Sequence, residues 1–418
     1  MMEINFDDVA LRSAECRTLS NGVKVYSLPS DEFEVLRVSF VFAAGSVFQP
    51  RPFVATTTAN LLSEGSRSMS ARDIAERLDY HGSYFDVNVD RDYSYFSFCS
   101  LSKFVGPTLD VAEQILLYPT FPEAEIKTYC AKRKQRLRIE REKVETKARE
   151  HFAKSLFGEN HPYGVSSSEE LYDSIKRADL VDMYERFYTA ERCFVVCSGR
   201  INDSEMARIE AVAGAIRSGE AIPQREFPEV VSRPFHLTEQ ADAVQSSIRI
   251  GRRLFTRSHP DFLGMQLLAT ALGGYFGSRL MQSLREERGY TYGVMSAMVN
   301  FARDGYFAIA TQVGVEVTRE AIDLIYKEVE RLRNEPLSEQ ELEMVCRIMV
   351  GEIMRILDGP FGVADVTIEN ILCECDNSVI EENVRRIATY TPSQLQELAR
   401  RYLDPKDMVC VVSGLMGE

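Results

Sequence analysis

Residues 180–199 read LVDMYERFYTAERCFVVCSG, and residues 395–414 read LQELARRYLDPKDMVCVVSG. The two stretches align without a gap at an offset of 215 positions. Leu180/Leu395, Arg186/Arg401, Val196/Val411, Ser198/Ser413 and Gly199/Gly414 are identical, and Phe187/Tyr402 and Phe194/Val409 keep their character. Each copy reads as a helix running into a buried strand that stops at Ser-Gly. An offset close to half of the 418-residue chain is what a tandem duplication produces. Residues 217–234, RSGEAIPQREFPEVVSRP, hold three prolines and no helical or strand period, and read as an extended linker. The predicted units are therefore a first domain over 1–216, the linker, and a homologous second domain over 235–418.

Working outward from the repeat, strands come in adjacent groups followed by long helices. Val23-Lys-Val25 and residues 35–42 are strand-like, with Asn21-Gly22 a turn before the first, and residues 85–101 alternate as one or two further strands. Residues 38–48 form the longest apolar patch and read as a buried strand. Ser70 with Asp73 opens a helix, and residues 124–157 lack Gly and Pro, which predicts a long helix with a possible interruption. Ser338-x-x-Glu341 reads as a capping box, and Thr391-Pro392 as a helix start with proline in the first turn. This grouping predicts an α+β fold: two tandem domains, each a mostly antiparallel sheet covered by helices.

Charge and composition narrow the function. The chain has 49 Lys+Arg against 63 Asp+Glu, a net charge of −14, which disfavours nucleic acid or an anionic membrane as partner. No stretch approaches the roughly 18 consecutive apolar residues of a membrane helix. The first residues, MMEINFDDVALRSAEC, place acids where a secretory signal carries basic residues. The nine cysteines are scattered without CxxC spacing. Reduced, buried thiols and a cytoplasmic location are the expectation.

Among chemistry-bearing groups, the five histidines (81, 151, 161, 236 and 259) include no pair four apart, so no helix offers two imidazoles to a metal. Gly273-Gly274-Tyr275-Phe276-Gly277 fits neither phosphate-binding fingerprint and reads as flexible or close-packed backbone before a helix. The most distinctive stretch is residues 277–299, GSRLMQSLREERGYTYGVMSAMV. Residues 278–288 read as a short helix with Leu280, Met281 and Leu284 on one face. Gly289 stands where a left-handed C-cap belongs, and residues 290–299 read as a strand. Arg285 would lie in the last helical turn and Tyr292 would begin the strand. Two readings stand at this point. Arg285 complements the helix dipole while Tyr292 half-packs on a sheet, or a guanidinium and a phenol converge on a ligand.

Ser278-Arg-Leu280 through Leu284-Arg-Glu-Glu-Arg-Gly-Tyr-Thr-Tyr292 resembles the pitrilysin/insulinase-type zinc metallopeptidases, most closely their short two-domain processing-peptidase branch. The resemblance extends over nearly the whole chain: Leu19-Ser-Asn-Gly-Val-Lys-Val25, Ala43-Ala-Gly-Ser46, residues 62–66, Asn160-His-Pro-Tyr-Gly164 and both Ser-Gly strand ends. The family's substrate-binding Arg and Tyr lie seven residues apart, as Arg285 and Tyr292 do. Its catalytic motif is H-x-x-E-H with a further downstream Glu. Registering on Glu64-Gly65-Ser66 puts that motif on residues 56–60, TTTAN. The histidine positions become Thr56 and Asn60, the general-base position Ala59, and the downstream ligand falls at Leu137.

The resemblance thus implies a chain without catalytic residues or metal of its own. It implies a heterodimer in which a homologous partner carries the zinc and this chain contributes Arg285 and Tyr292 to bind a peptide substrate. The rival expectation is a catalytically silent structural or peptide-binding homodimer of the same fold.

Overall fold

The computed structural model describes residues 13–164, 168–220 and 234–417. Most of the stretch read as a linker, 221–233, lies outside the described residues, as do the first twelve.

Strands β1 (Glu15–Thr18), β2 (Lys24–Pro29), β3 (Val35–Phe42), β4 (Tyr84–Val89), β5 (Ser94–Leu101) and β6 (Cys193–Gly199) form one sheet in the order β1-β2-β6-β3-β5-β4. Strands β7 (Phe235–Glu239), β8 (Gln245–Leu254), β9 (Val294–Asn300), β10 (Gly305–Gly314) and β11 (Val409–Gly414) form a second, ordered β7-β11-β8-β10-β9. With β1 set aside, the two sheets trace the same path. The late strand of each half enters the middle, parallel to the first strand of its half and antiparallel to the second. The repeated sequence motif is this late strand with the helix before it.

The helices of the first half are α1 (Val54–Leu61), α2 (Ala71–Tyr80), α3 (Val105–Leu117), α4 (Glu123–Glu142), α5 (Val144–Phe157), α6 (Arg177–Phe187) and α7 (Asp203–Gly214). Those of the second are α8 (Phe262–Ala269), α9 (Thr318–Asn334), α10 (Glu339–Ile356), α11 (Gly359–Leu372), α12 (Ser378–Ile387) and α13 (Pro392–Tyr402). Their ends follow local chemistry. Ser70/Asp73 and Thr391/Gln394 make complete capping boxes. The predicted long helix breaks at Lys143, whose extended backbone (φ −74°, ψ 130°) separates α4 from α5. Asn21 does more than turn the chain: its side-chain amide donates to the carbonyls of Ala213 (3.0 Å), Gly214 (3.2 Å) and Ile216 (3.0 Å) at the end of α7. The apolar patch at 38–48 is strand only as far as Phe42, because residues 46–48 turn to meet carbonyls of the β4–β5 loop.

The burial pattern explains how the halves join. β11 is buried at every position and β6 at all but Phe194, so both faces of each sheet need covering. In the first half, α1, α2, α3, α6 and α7 cover one face around Phe40, Phe42, Phe96 and Phe98. The other face, with Leu28, Val41 and Val196, is covered by Ala364 and Ile368 of α11, a helix of the second half. Reciprocally, Phe152, Leu156 and Phe157 of α5, from the first half, cover Ala308, Val409 and Val411 of the second sheet. Each half lends one helix to the other. Polar ties accompany the exchange: buried Asp92 accepts from Tyr163 Oη (2.6 Å) and from the Ala302 N–H (3.0 Å), and Ser198 Oγ donates to the Pro360 carbonyl (2.7 Å).

His151 of α5 stacks on His236 of β7, with ring centroids 4.5 Å apart. Desolvation, then His236, Lys154, Arg141 and Lys147, hold the His151 pKa below its ordinary 6.5. The folded chain therefore binds this proton less tightly than the unfolded chain. The associated stability is complete above the unfolded pKa and is lost as pH falls through and below it. Urea midpoints should fall between about pH 7.5 and pH 5.5, and His151→Gln should flatten that fall. An unchanged slope in the variant would remove His151 as its source.

Candidate functional site

The loop, turn and strand that carry Arg285 and Tyr292 are built in sequence order. A Cβ on Gly273 would lie 2.8 Å from the Ser296 nitrogen, so the backbone at Gly273 presses against β9 and tolerates no side chain there. The chain then enters a π-helical turn, Met281–Glu287, whose apolar face buries Leu280, Met281 and Leu284. Gly289 adopts φ +66°. Its N–H reaches the Arg285 carbonyl (3.0 Å), and the Tyr290 N–H reaches back to Leu284 (2.9 Å), closing the turn. The expected strand from residue 290 starts later, at Val294. Thr291 Oγ1 takes the Gly293 N–H (3.1 Å), and Thr311 Oγ1 donates to Thr291 Oγ1 and the Gly293 carbonyl (both 3.0 Å). These side-chain bonds hold 291–293 as a loop and leave Tyr292 projecting, 88% exposed.

Arg285 and Tyr292 do come together. The guanidinium carbon lies 4.9 Å from the Tyr292 ring centroid and 4.8 Å from that of Phe276. Phe276, 60% exposed, belongs to the glycine-rich segment read from sequence as backbone only. An aromatic in a tight loop just ahead of the Arg/Tyr segment was the available signal. The guanidinium lies over two aromatic rings, and its N–H groups make no hydrogen bond among the described residues; a carboxylate oxygen of Glu286 is 3.6 Å from Nε. Such a cluster holds a planar fork of donors that can meet a carbonyl or carboxylate. Met295, 59% exposed, extends the apolar surface along β9.

Arg279 anchors this assembly. It is 8% exposed and binds Glu341 bidentately, Nε to Oε1 at 2.7 Å and Nη2 to Oε2 at 2.9 Å. The expected capping box at Ser338 is therefore half built. Ser338 Oγ accepts from the Glu341 N–H (3.1 Å), but the Glu341 carboxylate faces Arg279 instead of the cap.

The positions that the family resemblance assigns to zinc lie on α1 and α4, which touch. Thr56 and Asn60 are half-buried on α1, Ala59 is fully buried, and Leu137 of α4 packs against the first core. Asn60 spends its amide on the Thr56 carbonyl (2.7 Å). A hydroxyl, a methyl, a carboxamide and an isobutyl group do not match the imidazole, thiolate and carboxylate donors of zinc. Nearby Glu64 has its carboxyl raised by burial and by Glu125, with Lys132 opposing. Among the described residues, no three His, Cys, Asp or Glu side chains gather as a metal site. The histidines go elsewhere: His151 to His236, His161 to Phe157 and His259 to Phe255.

The sequence matches two family descriptions, Insulinase (Peptidase family M16) over residues 28–162 and Peptidase M16 inactive domain over residues 174–349. It is similar to an uncharacterized zinc protease, YmxG, of Bacillus subtilis, at 21% identity over 403 residues, covering 95% of this chain and 97% of that one. It is also similar to the non-peptidase homolog YmxG of Helicobacter pylori, at 20% over 298 residues, 70% of this chain and 68% of that one. Among solved structures, a peptidase M16 inactive domain from Pseudomonas fluorescens superposes with TM-score 0.88 at 24% identity, covering 97% of this chain and 98% of that. A protease from Helicobacter pylori superposes with TM-score 0.88 at 14% identity, covering 97% and 100%. At those identities the structural likeness establishes shared fold.

Two outcomes are expected. Arg279→Ala strands the Glu341 carboxylate and should cost about 3–5 kcal/mol in denaturant unfolding; a loss under about 1 kcal/mol would demote the pair to a surface contact. The combined substitution Thr56→His, Ala59→Glu, Asn60→His and Leu137→Glu should confer one zinc per chain by elemental analysis, with none retained by the parent chain. Zinc retention by the parent would refute the assignment of these positions.

Proposed function

The chain belongs to the insulinase (M16) family of peptidases, and from that premise we propose that it is the non-zinc, substrate-binding subunit of a heterodimeric zinc metallopeptidase acting on peptides or unfolded segments. The observation that carries this reading is the Phe276–Arg285–Tyr292 cluster. Its guanidinium makes no hydrogen bond among the described residues, with the Glu286 carboxylate 3.6 Å away, in a chain whose zinc-motif positions hold no suitable ligand. In that role Arg285 donates charge-assisted hydrogen bonds to a substrate backbone carbonyl. Tyr292 donates its phenolic hydrogen to a substrate oxygen as negative charge builds there. β9 begins two residues after Tyr292 and is an edge strand, as β4 is in the other sheet. A peptide pairing with such an edge is held by main-chain bonds and read with little sequence preference. The two subunits would enclose a chamber that admits extended chains and excludes folded ones. Zinc belongs to the homologous partner. Nine free thiols are consistent with a reducing, cytoplasmic setting.

A second reading is a catalytically silent peptide-binding or structural homodimer. The relative named a non-peptidase homolog favours it.

One experiment separates the two. The tagged chain is recovered from its own cells under native conditions, and whatever co-purifies is tested for peptide hydrolysis. The proposal expects a stoichiometric relative with an intact H-x-x-E-H. In that complex, Arg285→Ala or Tyr292→Phe should lower turnover by about 2.7–4 kcal/mol of transition-state stabilisation, a factor of about 10²–10³, while assembly survives. Turnover unchanged in both variants would overturn the assigned role. Recovery of the chain paired only with itself, without hydrolysis, would establish the second reading.

A further inference from the structure

The second half contains a cleft of about 700 Å³ between α8, α10, α11 and α12, lined by no residue of the 281–292 segment. Its walls are mainly apolar: Phe262 and Leu263 of α8, Met298 of β9, Ile353 of α10, Val366 of α11 and Ile380 of α12. Phe262, Leu263 and Ile380 are buried, whereas Ile353, Val366 and Met298 are only partly covered and leave apolar surface facing the cleft. A volume of this size lies within the range of small-molecule sites, about 300–1,000 Å³.

Two guanidinium groups line the cleft: Arg386, whose Nη2 donates to the Pro260 carbonyl (2.9 Å), and Arg257, which is held by a longer network. The backbone N–H of Arg257 donates to Asn300 Oδ1 (2.7 Å), which fixes the residue after β8. Its Nη2 reaches Asn370 Oδ1 (3.3 Å). Asn370 is locked in turn, its amide donating to Asn377 Oδ1 (3.1 Å), and Asn377 donates to Thr367 Oγ1 (2.9 Å). All three are buried. This network, together with a hydrogen bond between the guanidinium and the Cys373 side chain, orients the group without an ion pair. Arg37, Arg252, Arg253, Arg279 and Arg333 each have a carboxylate partner, and Arg192 and Arg217, which have none among the described residues, donate to the carbonyls of Ala43 and Tyr184. Among the described residues, no carboxylate oxygen lies within ion-pair distance of Arg257. Glu369 shares this end of the cleft. Desolvation raises its carboxyl above the ordinary value while Arg257 opposes the rise, so it is the neighbour best placed to take up a proton when a second carboxylate arrives.

We propose that this cleft binds a medium-chain carboxylate, its hydrocarbon tail along the apolar walls and its carboxylate on the guanidinium of Arg257. An apolar slot with an oriented guanidinium at one end, without a carboxylate in ion-pair distance, is complementary to that ligand in shape and, at that end, in charge. The tail accounts for the exposed face of Ile353 and Val366, and the head group for a guanidinium that the fold positions but does not pair.

The test uses the full chain, with dodecanoate below its micelle concentration as the anionic probe and dodecanol as its neutral counterpart, both followed by calorimetric titration. Dodecanoate is expected to bind at one site per chain. Arg257→Gln should weaken dodecanoate by about tenfold or more, equivalent to 1.4 kcal/mol, and leave dodecanol within about twofold. Ile353→Trp, which fills the slot, should abolish binding of both. Absence of saturable dodecanoate binding by the parent chain overturns the site. So does undiminished dodecanoate binding by Arg257→Gln. If Ile353→Trp fails to fold, the contrast between the two probes in Arg257→Gln still decides the matter.

Discussion

A strand that is apolar on both faces cannot stop at one layer of helices. β6 and β11 impose that requirement on this molecule, and the exchange of α5 and α11 between the halves is its solution. Removing either helix would uncover apolar strand surface at roughly 25 cal/mol per Å², a large fraction of the stability of an ordinary domain. The two halves are thus joined by their cores and not only through the connecting chain. The buried Asp92, held by Tyr163 from the first half and Ala302 from the second, lies beside the same exchange.

This framework gives the two halves different uses for the same topology. In the first, α1 meets α4, the place where the family resemblance would put a metal. The polar side chains there fold back on their own helix: Thr58 donates to Val54 and Asn60 to Thr56. The face serves packing. In the second, the interior supports a rim. The Arg279–Glu341 pair ties the π turn to the first turn of α10, and Gly273 lets the preceding loop lie flat on β9. With both ends of the segment fixed, Phe276 and Tyr292 are both brought against Arg285. The exposed aromatics on this rim are held there by buried contacts below them.

Much of the architecture was legible in the sequence because it is written in local patterns. The repeat at residues 180–199 and 395–414 carries the helix and the central strand of each half, and these recur with identical sheet connectivity. The Asn21-Gly22 turn and the caps at Ser70 and Thr391 all depend on residues within a few positions of one another. Local reading failed where a distant group competes for the same atoms. Glu341 leaves its cap for Arg279, sixty-two positions away, and Thr311 holds residues 291–293 out of the strand.

The sequence by itself determined the α+β duplication, the absence of zinc-ligand side chains at residues 56–60, and the spacing that sets Arg285 against Tyr292. These are matters of residue identity, period and short separation. Only the tertiary structure decided that Phe276 completes the cation's surroundings, that His151 meets His236, that each half covers the other's sheet, and that Arg257 stands unpaired at the end of an apolar cleft. The physical reason is common to all four. Each depends on which surfaces are left uncovered after local elements have formed, and that is settled by packing between residues far apart in the chain.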